Sequence, residues 1–133
     1  MPWTWKLFGA DECKIPEDLL RAFYHLLEDP IIPLREGLDP LLTTDQSISL
    51  RTKIRKLCDF YPGSLSSDEI DRFDDGFYEL RLMGRGYSYR FFFVQTSPQT
   101  FLFLDVISKK YNGKTRKSDL ATTRARLKQV KRK

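Results

Sequence analysis

With 133 residues and 41% hydrophobic side chains, the chain suits a single globular domain over residues 1–133, long enough to bury roughly two thirds of the surface its unfolded form exposes. Ten phenylalanines, six tyrosines and two tryptophans argue against disorder, and no apolar run approaches the ~20 residues that span a bilayer. The net charge of +5 is segregated, with 11 basic and one acidic residue from Lys109 to Lys133 and a net −5 over residues 1–108, which is the footprint of a polyanion partner, nucleic acid and not membrane, the alternative being a solvated basic tail that binds nothing specific.

Trp3-Thr-Trp-Lys-Leu-Phe8 alternates as a short first strand, with Trp3, Trp5 and Leu7 inward as core anchors. There is no basic flank followed by a long apolar stretch, so no signal peptide is expected and the cytoplasm is the default compartment. Glu17-Asp18 suit the first turn of a helix of about a dozen residues, whose stripe of Leu19, Leu20, Phe23, Leu26 and Leu27 runs up to Asp29-Pro30. His25, the single histidine, falls opposite that stripe and reads as a surface residue, which nearly excludes histidine chemistry. Residues 30–46 read as an irregular connection. Asp45 or Ser47 then caps a second helix with the stripe Leu50, Ile54, Leu57, Cys58 and Tyr61, ending before Pro62-Gly63. Its basic residues, Lys53 and Arg55 among them, suit either contact with a phosphate backbone or a solvated face. Cys13 and Cys58 lack metal-ligand spacing and read as free, buried thiols.

Ser64 to Gly76 reads as an acidic loop whose spacing misses the calcium-loop pattern, so no metal or other cofactor is expected. Phe77-Tyr-Glu-Leu-Arg-Leu-Met83 alternates, with Tyr78, Leu80 and Leu82 toward a core and Glu79 and Arg81 on a charged face. Gly84-Arg-Gly86 permits a reversal into Tyr87-Ser-Tyr-Arg-Phe-Phe-Phe-Val94. A loop of two residues (Gly84, Arg85) or of four (Gly84 to Tyr87) sets Glu79, Arg81, Ser88 and Arg90 on the same face, whereas three residues without a bulge would separate them. Phe101 to Ser108 is apolar on both faces except at Asp105, as a central strand should be, and its end delivers Lys109 and Lys110. Arg81, Arg90, Lys109 and Lys110 thus form an anion-binding surface. Tyr111 to Lys117 is a basic turn that includes Arg116 and Lys117, and Ser118-Asp119 caps a last helix with the stripe Leu120, Thr123, Leu127 and Val130, frayed from Lys128 to Lys133. The fold class that follows is α+β, a small, mostly antiparallel sheet packed by two N-terminal helices and a C-terminal helix.

Tyr78-Glu-Leu-Arg81, Tyr89-Arg-Phe91, Phe103-Leu104, Lys109-Lys110 and Ala121-Thr-Thr-Arg124, in this order and at this spacing, resemble the RelE/ParE toxin superfamily, most of all its HigB-like, phage-derived branch. The resemblance covers residues 77–126. It implies a RelE-like fold and a toxin of a type II toxin-antitoxin pair, an endoribonuclease that cuts mRNA in the 70S ribosome without a metal. Its partner would be a cognate antitoxin, expected to be a helix-turn-helix protein. It also implies Arg81 and Arg90 as phosphate clamps, Lys109 and Lys110 as the basic strand-end pair and Arg124 as a helix-borne RNA contact. The acid and base stay open between a lysine, Glu79 and Tyr111, and Glu79 could instead pair with Arg81 or Arg90. The sequence departs from the pattern at Ser118, where some members carry a tyrosine, and in lacking a proline before the last helix. Two alternatives remain: a ParE-like toxin that poisons gyrase, and a non-catalytic nucleic-acid-binding protein of a phage or mobile element.

Overall fold

A computed structural model describes residues 3–27, 37–60, 69–84, 87–96, 99–110 and 113–131. Its centre is a five-stranded mixed sheet in the order β1-β5-β4-β3-β2: β1 Thr4–Leu7, β2 Ile70–Arg72, β3 Phe77–Gly84, β4 Tyr87–Thr96 and β5 Thr100–Lys110. Of these strands β1, beside β5, is parallel to its neighbour; the other pairings are antiparallel. With α1 Glu17–Ala22, α2 Thr44–Phe60 and α3 Ala121–Lys131, the class is α+β, as the order of sequence patterns implied. No helix among the described residues is long and apolar enough to cross a membrane.

The aromatic run of β4 explains how the sheet is covered. Successive strand residues point to opposite faces, so Phe91 and Phe93 enter one cluster with Leu19, Phe23, Leu50, Ile54 and Leu57 of the helical side. Phe92 enters another with Leu120 and Leu127 from the C-terminal end. All three phenylalanines are fully buried. A register shift at Phe92/Phe93 pairs Phe92 with Asp105 and Phe93 with Phe103, leaving Leu104 as the extra residue of a bulge on β5. Leu102 and Leu104 then join the second cluster while Phe103 and Val106 stay in the first. Trp3 stacks on Phe101 at 4.7 Å and Trp5 meets Phe23 and Phe103 at 5.5 and 6.0 Å, so both tryptophans anchor packing.

Several boundaries differ from the sequence reading. The first helix stops at Ala22 and continues as a 3-10 turn over Tyr24–Leu26. Leu26 N–H donates to the Phe23 carbonyl, and Arg51 of α2 donates to the His25 carbonyl at 2.9 Å, so a tertiary partner takes an orphan acceptor at the helix end. Asp29 and Pro30 lie outside the described residues, as does Tyr61. His25 is half-buried, its ring edge-on to Tyr24. The cap of α2 is neither Asp45 nor Ser47 but Thr43, whose hydroxyl accepts from Gln46 N–H at 3.2 Å while the Gln46 side chain accepts from Thr43 N–H at 2.9 Å. Thr43-x-x-Gln46 is a capping box.

The acidic stretch expected to be loop contains β2, paired to β3 through a Phe73-Asp-Asp-Gly76 turn in which Gly76 holds φ +93°. Phe73 stacks on Phe77 at 4.7 Å. The last helix shows the expected stripe of buried Leu120, Thr123 and Leu127 with Val130 half-buried. It is entered through a 3-10 turn, Lys117–Leu120, and reaches Lys131, so Lys128 to Lys131 are helical rather than frayed. Arg132 and Lys133, the rest of the expected frayed end, lie outside the described residues. Both cysteines are free as read; Cys58 is buried, its thiol pushed up to about 11 by burial and then by Asp59, whereas Cys13 is exposed, in a turn at φ 55°.

Candidate functional site

The β3–β4 register decides what the hairpin displays. Gly84 pairs with Tyr87 and Arg81 with Arg90, the register of the four-residue alternative closed by one further pair. Glu79, Arg81, Ser88 and Arg90 therefore share a face. On the next ladder Ser88 pairs with Lys109, which adds Lys109 to that face. Lys110, one residue on, alternates to the other face and is exposed, so the expected strand-end pair is split.

This charged face is covered, contrary to the expectation of an open one, by the segment from Gly113 to Asp119. Glu79 has no solvent exposure and Arg90 only 5%. Two guanidinium groups directly opposite each other would repel, and two acids bonded to Arg81 offset this. Glu79 Oε1 accepts from Arg81 Nε at 2.7 Å, and Asp71 Oδ2 accepts from Arg81 Nη2 at 3.0 Å. Thr115 donates its hydroxyl proton to Glu79 Oε2 at 2.6 Å. Arg90 donates through Nε to Ser88 Oγ at 3.3 Å, through Nη1 to Thr115 Oγ1 and through Nη2 to the Gly113 carbonyl. Lys109 Nζ donates to Asp119 Oδ2 at 2.8 Å, and the same carboxylate takes the Arg116 N–H at 2.8 Å. Those two contacts, Lys109 first, hold the Asp119 carboxyl below its ordinary range.

The other candidates are distributed differently. Lys53 pairs with Glu69 at 2.7 Å and Arg124 with Asp75 at 3.0 Å, while Arg55, Arg116 and Lys117 are exposed. The acidic stretch is thus a set of counter-ions: Glu69, Asp71 and Asp75 take Lys53, Arg81 and Arg124. The buried cluster neutralises itself; Lys114, Arg116 and Lys117 of the covering segment present exposed positive charge beside it, and Lys110 does so from the other face of the strand end. Tyr111 lies outside the described residues; Ser118 is exposed in the 3-10 turn. Thr115 and Asp71 were not singled out from sequence. A hydroxyl in a basic turn carries no local signal, and Asp71 acquires its role only from the β2–β3 pairing.

Residues 43–128 match the phage-derived Gp49-like protein family. The chain belongs to that family. The Gp49-like family falls within the RelE/toxin-antitoxin-like superfamily, to which the motifs pointed. Among curated proteins none matches the chain. The Gp49-like region begins at the Thr43 cap and ends within α3, so it contains every residue of the cluster from Asp71 to Asp119.

At the other end of the same face, Arg126 of α3 donates to the Leu104 carbonyl at 2.6 Å, pairs with Asp105 at 3.6 Å and Asp18 at 3.8 Å, and lies 5.6 Å from the centre of the Phe8 ring. The Asp105 carboxyl is pushed up to about 6, first by burial and also by a hydrogen bond and like charge from Asp18, against the Val106 N–H and Arg126, which lower it. The folded protein therefore holds a proton that the unfolded chain releases near pH 4. Its contribution to stability is complete below that value and is lost as pH rises through about 6. Chemical unfolding at several pH values should show stability falling from about pH 4 to 6, by up to about 3 kcal/mol from this group. Asp105→Asn should flatten that slope. An unchanged slope in Asp105→Asn would assign the pH dependence to other groups.

Proposed function

We propose that this Gp49-like protein is the toxin of a type II toxin-antitoxin pair of the HigB-like branch, acting in the cytoplasm as a ribosome-dependent endoribonuclease. The reaction is attack of a ribose 2′-OH on the adjacent phosphate, giving a 2′,3′-cyclic phosphate and a 5′-OH, with no metal required. The observation that carries this reading is the cross-strand pair Arg81 and Arg90 with buried Glu79 bonded to Arg81 directly and linked to Arg90 through Thr115. Guanidinium forks match phosphate oxygens and stabilise a phosphorane better than its ground state, and a carboxylate beside them is a base. Exposed Lys110, Lys114, Arg116 and Lys117 supply attraction to the RNA backbone. The cognate antitoxin, a helix-turn-helix protein, would lay an acidic or amphipathic segment over this basic face.

Inducible expression without the antitoxin should arrest growth and translation and leave new mRNA ends bearing a 5′-OH. Normal growth with abundant folded protein would remove the toxin reading. A second reading, attachment to nucleic acid without cleavage, draws on one observation: Arg90 is nearly sealed and all three of its nitrogens already donate, to Ser88, Thr115 and Gly113. Salt-dependent RNA binding with no new ends would favour it.

A further inference from the structure

The base of this reaction cannot reach its substrate directly. Glu79 is fully buried, with one oxygen committed to Arg81 and the other to Thr115. Thr115, by contrast, is only half-buried. A threonine hydroxyl has one proton and two acceptor lone pairs. Here the proton points to Glu79 Oε2, one lone pair takes the Arg90 N–H, and the second has no partner among the described residues. Arg90 polarises the hydroxyl, and the ionised carboxylate receives its proton in a low-dielectric setting that strengthens both bonds. Thr115 is thus the path from the buried carboxylate to the surface where RNA would lie.

We infer that Thr115 is the proton relay of the cleavage reaction, an inference that rests on the endoribonuclease reading above. The 2′-OH docks on the open lone pair of Thr115 Oγ1. As the 2′-oxygen bonds to phosphorus, its proton passes to Thr115 Oγ1 and the proton already there passes to Glu79 Oε2. The P–O5′ bond breaks with its electron pair on the 5′-oxygen, which takes a proton from water. Thr115 ends as it began, and Glu79 returns the gained proton to solvent by the same route. Arg90, freed from the hydroxyl's other lone pair as the phosphate arrives, exchanges Thr115 and Gly113 for phosphate oxygens.

The test is single-turnover cleavage of mRNA on programmed ribosomes at saturating protein, with thermal melts on each variant. Thr115→Val keeps the shape and removes the hydroxyl; Thr115→Ser keeps the hydroxyl. Thr115→Val and Glu79→Gln should each lower the rate on the order of 100-fold. The double variant should be no slower than either alone, because a relay acts as a unit. Thr115→Ser should cut near the wild-type rate. A wild-type rate in Thr115→Val, a Ser variant as slow as Val, or fully multiplicative losses in the double variant would overturn the relay while leaving the endoribonuclease reading intact. Wild-type protein that cuts nothing would overturn both. Should Thr115→Val not fold, Glu79→Gln decides, since a wild-type rate without the carboxylate also overturns the relay.

Discussion

Arg90→Ala is expected, on the proposed endoribonuclease reading, to lower the saturated cleavage rate on programmed ribosomes on the order of 100-fold, because it would remove a charge-assisted contact that is strongest in the transition state. Ribosome affinity should fall much less. The guanidinium is also the anchor of the covering segment, so its loss leaves the Gly113 carbonyl and two hydroxyls without their donor, each at a cost of about 1–3 kcal/mol if they stay buried. Arg90→Lys separates these effects, since an ammonium keeps the charge but cannot form the fork. It should fold better than the alanine variant and remain slow. Neutralising the exposed Lys110, Lys114, Arg116 and Lys117 should do the reverse, weakening binding in a salt-dependent way with the saturated rate preserved. If Arg90→Ala and the surface variant lower binding equally and leave the rate unchanged, the sheet face serves only attachment.

Phe23→Ala is expected to destabilise the fold by about 4 kcal/mol, within the range for truncating a buried phenylalanine. The ring has no solvent exposure and meets Trp5, Phe91 and Phe103 at 5.5, 5.5 and 5.0 Å. It stands where the helix from Glu17 gives way to the 3-10 turn, so the cavity would open between the helical layer and the two central strands. Guanidinium denaturation should show a lower midpoint with little change in slope, and melting should drop by roughly 10–20 °C. A loss below about 1.5 kcal/mol would mean that the site collapses around the smaller side chain.

The sheet was readable where one local rule sufficed. Alternation and paired glycines defined the hairpin, and with it the shared face of Glu79, Arg81, Ser88 and Arg90. An apolar run on both faces marked β5 as central, with β1 and β4 beside it. Failures came where a partner distant in sequence decides. Ile70-Asp-Arg72 has too little alternation to announce a strand and becomes one only beside β3. The 3-10 turn that follows the first helix has a partner far off in sequence, Arg51 of α2 at the His25 carbonyl. The Thr43-x-x-Gln46 box was present in the sequence and overlooked beside the more conspicuous Asp45. The site was half legible. Its cations and the pairing of Glu79 with Arg81 follow from strand periodicity, but the further partners Asp71, Asp119 and Thr115 are tertiary.

The parallel pairing of Thr4 with Thr100 governs the order in which a chain leaving the ribosome can become whole. The hairpins from β2 to β5 join neighbours in sequence and can form as they emerge, whereas β1 must wait for β5, its partner some 96 residues away. Arg90 waits longer still, because Gly113 and Thr115 follow β5. In a nascent chain, therefore, the arginine stays uncovered and lacks these acceptors of its final cluster until Gly113 and Thr115 have themselves emerged.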